Sequence, residues 1–175
     1  MKFVLALSVM SSLMLSACTA DQKPSVEVKA TDYAVTDAAS LQHKIDALNA
    51  QLASDYQQLK QQQNIAFSDQ SPLDVMNLNS LHLHAVSATS LKPVKEEYCQ
   101  LMNSYFNTLY RMGHFNLKLL DQIELKHQSQ TALAPHFANA DAFYEFALSD
   151  YSSYKQAQQI MGFGCNLRAA LTPNT

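Results

Sequence analysis

The sequence predicts an all-α fold: an up-and-down helical bundle of three main helices plus one or two short ones. Four observations lead there. Apolar residues make up 47% of the 175 residues, enough for one core. Glycine, on which turn-rich β folds draw heavily, occurs only 3 times, and Trp is absent. Leu, Ala and Gln, all good helix formers, are frequent. Apolar residues also recur at helical spacing along three long stretches.

Asp37 can cap the first helix, which runs to about residue 64. Leu41, Ile45, Leu48, Leu52 and Leu59 fall at steps of four, three, four and seven. This narrow stripe has near-heptad spacing. It reads either as a partner-docking surface centred on Leu48 and Leu52 or as the inner face of one amphipathic helix. Ser71-Pro72 fits the start of a short helix reaching residue 80. Residues 81–90, LHLHAVSATS, alternate and then turn small and polar, as a connection does.

The second long helix is expected from Pro93 to His127. Val94, Tyr98, Leu101, Tyr105, Leu109, Met112, Leu119 and Ile123 make its stripe, widened by Cys99, Met102, Phe106, Leu117 and Leu120. A stripe this broad packs against more than one neighbour. Gly113 marks a soft point or a site of close approach. Asn139 can cap the third helix, over residues 140–161, with Gly162 and Gly164 at its end. Residues 166–171 can add a final turn or two.

Several function classes find no support. Net charge is −3, with no basic run that would favour nucleic acid. No Gly-x-Ser-x-Gly, CxxC or CxxCH motif occurs, so neither an enzyme nor a haem or zinc cofactor is expected. Glu124-Leu125-Lys126-His127 contains the Glu-x-x-His of di-metal bundles, but the second copy that this chemistry needs is missing. His82 and His84 would share a face in a strand, yet no third ligand lies near them in sequence. They read as exposed polar residues of the connection. Tyr105, Tyr144 and Tyr151 lie on the two most apolar helices. They read either as a groove for a ligand or peptide, or as core with hydroxyls reaching the surface.

The N-terminus carries the sharpest signal. Lys2 precedes FVLALSVMSSLML, residues 3–15, and small residues follow. That is the layout of a secretory signal, and the run is short for a membrane span. Leu15-Ser16-Ala17-Cys18 resembles the lipobox of bacterial lipoprotein precursors. The resemblance covers the first 20 residues only. It implies cleavage before Cys18 and a diacylglycerol on its thiol, usually with a further acyl chain on the new amine. Each buried methylene contributes roughly 0.8 kcal/mol, so two or three chains give a lasting anchor. Thr19 after Cys18 is similar to the pattern that sends lipoproteins to the outer membrane. The implied layout is a signal peptide over 1–17, a lipidated Cys and tether over 18–36, and a helical domain over 37–175. The expected location is the bacterial envelope, lipid-anchored at the outer membrane and facing the periplasm. The expected partners are the membrane and an envelope protein or ligand, with no nucleic acid.

With Cys18 lipidated, Cys99 and Cys165 remain, an even pair in an oxidising compartment. In an antiparallel pair of helices over 93–127 and 140–161, both cysteines lie roughly 40 Å from the turn. They meet at one end of the bundle, as a disulfide or as two buried thiols.

Overall fold

In the computed structural model, which describes residues 29–125 and 132–172, the chain is all-α. The helices are α1 (Ala30–Tyr33), α2 (Ala38–Gln62), α3 (Lys92–His114), α4 (Ala134–Phe137), α5 (Ala140–Asp150), α6 (Ser152–Met161) and α7 (Leu167–Leu171). Segments of 3₁₀ helix lie at Asn64–Ala66, Leu78–His84 and Leu117–Gln122. Cys18 and His127 lie outside the described residues, as does the signal-like run.

The capping residues read from sequence start their helices. Asp37 Oδ1 accepts the Ser40 backbone N–H at 2.8 Å. These bonds hold the Asp37 carboxyl below the usual carboxylate range. Asn139 Oδ1 accepts the Ala142 N–H at 2.9 Å to begin α5. Gly162, at φ +59°, ends α6 in the left-handed conformation that favours glycine.

α2 and α3 are antiparallel: Tyr105 on α3 donates to Asn49 Oδ1 in the middle of α2 at 2.9 Å, while Tyr98, earlier on α3, meets Tyr56, later on α2, at 5.9 Å. Leu41, Ile45, Leu52 and Leu59 are buried between them, together with Tyr56, and Leu48 is half-buried. The stripe on the first helix is therefore core along most of its length.

Two long helices predicted from periodicity are divided in the structure. The expected helix over 93–127 stops at His114. Asn116 turns back on it, donating from Nδ2 to the Met112 carbonyl at 2.7 Å. The following turn is 3₁₀, with Leu117, Leu120 and Ile123 spaced by the period of that helix. The expected helix over 140–161 breaks at Tyr151, whose backbone is non-helical at φ −106°, ψ 48°. Ser149 Oγ donates to the Phe146 carbonyl, a local bond of the kind that bends helices. The break lets the two halves bury different faces. α5 inserts Phe143 and Phe146, while α6 inserts Ser153, Tyr154, Ala157 and Met161. Tyr151 packs its ring on Phe106 at 5.3 Å and on Phe146 at 6.0 Å. The short helix expected after Pro72 forms later, as the 3₁₀ segment Leu78–His84.

Gly113 is a site of close approach. A Cβ built there would lie 2.0 Å from the Phe137 ring of α4. At the other end of α3, Cys99 is bonded to Cys165, with their Cα atoms 4.8 Å apart. The bond ties the segment after α6 to the start of α3. Asn103 adds a hydrogen bond to the Cys165 carbonyl, and Gln158 Oε1 accepts the Cys165 N–H at 2.8 Å.

The N-terminal segment is strapped to the same body. Asn116, only 5% exposed, accepts the Val35 N–H at 2.9 Å and donates to the Tyr33 carbonyl at 3.1 Å. Tyr33 stacks on Phe115 at 6.0 Å with Arg111 over its ring at 5.8 Å. Over residues 30–35, the stretch read as tether is thus placed against the C-terminal end of α3.

Candidate functional site

The antiparallel packing of α2 and α3 leaves a surface groove of about 440 Å³ between them. Its apolar floor comes from Leu48, Leu52 and Leu59 of α2 and Leu101 of α3. Tyr105 closes one end, and Gln62 and Glu97 flank the other. Gln51, Gln58 and Gln100 form exposed rims. Asp55 and Glu97 are the charged lining residues, and no Lys, Arg or His lines it. From Leu48 to Gln62 the groove follows α2 for roughly 20 Å. The spacing that produces it is visible in sequence: α2 carries Leu at i, i+4 and i+11, with Gln between them.

Three residues predicted for binding, Leu48, Leu52 and Tyr105, therefore meet in this groove. Tyr144 and Tyr151 do not join them. Tyr151 is 4% exposed inside the aromatic core. Tyr144 is half-buried on α5, under the Arg168 guanidinium at 4.5 Å. Between Tyr105 and Tyr151 there is space for only about 10 Å³. Burial pushes both of these phenols well up from their ordinary range. They serve as rings in the core, and only the edge of Tyr105 reaches the groove.

A second constellation was not expected from sequence. Lys60, the last basic residue of α2, is fully buried. Its Nζ donates to the Ser71 carbonyl at 2.7 Å and lies 2.7 Å from His84 Nδ1. It also sits over the rings of Tyr56 and Phe67 at 5.7 and 5.9 Å. Asp69 Oδ2 is 3.8 Å from the same His84 nitrogen, and Asp69 Oδ1 accepts from both the N–H and the hydroxyl of Ser71. The Tyr56 hydroxyl donates to the His84 carbonyl at 2.7 Å. Desolvation holds Lys60 below the usual lysine range and His84 below the usual histidine range, with the Lys60 charge adding to the effect on His84. The reading of His84 as an exposed residue of a connection is corrected here: it is 5% exposed. The 3₁₀ segment turns it inward, where a strand would have placed it beside His82.

His82 instead pairs with Ser153 of α6. Ser153 Oγ accepts the His82 N–H at 2.7 Å and lies 2.8 Å from His82 Nδ1. Contact between serine and histidine is the geometry of an activated nucleophile. Here Ser153 is 1% exposed, so its hydroxyl meets no substrate. The pair fastens the Leu78–His84 segment to α6.

Among the described residues no group of three His, Cys, Asp or Glu side chains is placed to hold a metal. Glu124 is exposed, and its backbone pairs with the Gln42 side chain in both directions. Among the same residues no helix is long and apolar enough to cross a membrane. No family model, no curated protein and no solved structure matches the chain.

Proposed function

We propose that the protein is a lipid-anchored component of the bacterial envelope whose helical domain binds an envelope partner through the α2–α3 groove. The observation that carries the reading is the groove itself, with its apolar leucine floor, Gln rims and acidic flanks. Such a surface suits an amphipathic segment of two or three helical turns, its apolar side in the floor and its polar side at the rims. The lipobox-like Leu15-Ser16-Ala17-Cys18 supplies the anchor and limits the partner to what lies near that membrane.

Each half of the proposal has its own test. Mature protein should begin at Cys18 and carry the mass of two or three acyl chains. Cys18→Ser should abolish that mass and leave an uncleaved or soluble form. A mature terminus at Thr19 or Asp21 without lipid would refute the anchor. For the groove, a photo-crosslinking residue at Gln58 or Gln100 should capture one partner in intact cells. Leu101→Lys should abolish that capture while leaving the fold intact, since Leu101 is only half-buried. The same probe at Lys155, exposed on α6, should capture nothing. Equal capture from both faces would remove the groove from the reading.

The alternative, a small-ligand or peptide carrier built on a tyrosine-rich cleft, has less support, since Tyr144 and Tyr151 lie apart from the groove that Tyr105 lines.

A further inference from the structure

We infer that Lys60, His84 and Asp69 form an acid-opened latch, which holds residues 63–77 on the end of α2 and releases them when His84 takes up a proton. The inference stands apart from the groove and from the lipid anchor.

The geometry sets the mechanism. Lys60 Nζ is a donor without a lone pair while it is charged, so His84 Nδ1 must accept, and the neutral ring then carries its proton on Nε2. Acid would place a new proton on Nδ1, in the space the Lys60 N–H now occupies. The hydrogen bond is lost, and two cations stand 2.7 Å apart. Asp69, at 3.8 Å, is the one carboxylate near them among the described residues. The other groups facing His84 bring no compensation. Tyr56 of α2 donates to its backbone, His82 of the same segment adds positive charge when protonated, and Tyr98 of α3 packs edge-on behind Tyr56.

Residues 63–77 are otherwise lightly fastened, whereas buried Leu78 and Leu81 and the His82–Ser153 pair keep the segment that follows on α6. Phe67 and Val86 form a single bridge, and Ser87 N–H donates to the Ala66 carbonyl at 2.8 Å. The stretch buries its own Phe67 and Leu73 and covers Ala85 and Val86, all at 5% exposure or less. At its tip Ile65 already stands 97% exposed. Opening would add Phe67 and Val86 to that apolar surface, at the end of the molecule far from the strapped N-terminal segment.

The sign follows from linkage. His84 titrates below its ordinary range while latched and near 6.5 once released, so the open form binds the extra proton. The latch is then at full strength above that value and weakens as pH falls, by up to about tenfold in its closed-to-open ratio per pH unit.

Hydrogen exchange on the full mature chain tests this, with protection corrected for the pH dependence of the chemical step. Protection of the Ala66 and Ser87 amides should fall between about pH 6 and pH 5, by up to about tenfold, while Phe106 and Leu109 in α3 keep theirs. His84→Gln should flatten the response, because its amide oxygen accepts from Lys60 and does not titrate. Lys60→Met should shrink it by removing the second cation. The His84 ring signal in the unaltered protein should titrate below its ordinary range, at lower pH than that at which protection begins to fall; titration at the ordinary value would overturn the latch, which keeps the test decisive where a variant fails to fold. A wild-type response that persists in His84→Gln, constant protection down to pH 5, or loss in α3 in step with the segment would each overturn the latch.

Discussion

Gly113→Ala should destabilise the fold by about 3 kcal/mol and lower its melting temperature by about 10 °C. The new methyl carbon would lie 2.0, 2.5 and 2.6 Å from three atoms of the Phe137 ring. The nearest include the ring's root, so a small rotation of Phe137 does not clear it. Phe137 is 1% exposed and packed on Phe143 at 5.0 Å and Phe146 at 5.6 Å. Relief requires α4 to move away from α3, which also strains the bond between His114 Nδ1 and the Phe137 carbonyl. Gly164→Ala is the control. Nothing lies within 4 Å of the added carbon, so it should be neutral or slightly stabilising through the unfolded chain. Thermal melts of the two variants check the contrast. Equal melting temperatures would mean that α4 does not press on α3 at Gly113.

Loss of the disulfide is the other large effect. Cys99 and Cys165 are 66 residues apart in sequence. In the chain-entropy model a loop of that length contributes about 4 kcal/mol. Cys99→Ser together with Cys165→Ser should therefore lower the urea midpoint by about 2 M. The folded state should persist, because Asn103 and Gln158 hold the Cys165 backbone independently of sulfur. A midpoint unchanged by the double replacement, or by a reductant acting on the native chain, would show two thiols in place of the bond.

The candidate site was half readable before the fold was known. Leu48 and Leu52 are placed by helical spacing alone, and Tyr105 lies on the facing helix. Their meeting in one groove depends on the antiparallel register of α2 and α3, which periodicity does not encode. Tyr144 and Tyr151 show the limit of reasoning by residue type. Tyrosine suits both a groove and a core, and only neighbours decide between them. Lys60 was hidden for a related reason. One lysine among the Gln and Asp of a helix reads as solvated, since a buried charge needs partners. Those partners, Ser71 and His84, are 11 and 24 residues away in sequence.

The sequence by itself determined the all-α class, the Asp37 and Asn139 caps, the Gly162 stop and the even pair of Cys99 and Cys165, which the fold then joined. These follow from short-range rules: a side chain reaching its own backbone, a backbone angle that glycine tolerates, an even count of thiols. It marked Gly113 as a soft point or a site of close approach, and the Phe137 ring of α4 decided for the second. Tertiary structure alone decided where the long stripes divide. Apolar spacing continues through Asn116 and through Tyr151, so helical periodicity has no reason to stop there. α3 ends because Asn116 binds the Met112, Tyr33 and Val35 backbones at once, and two of those three lie more than 80 residues away. The third helix breaks because its two halves face different neighbours, α4 and α7 on one side and the Leu78–His84 segment on the other. Local preference is weak beside the burial of several aromatic side chains, and burial depends on partners that only the folded chain brings together.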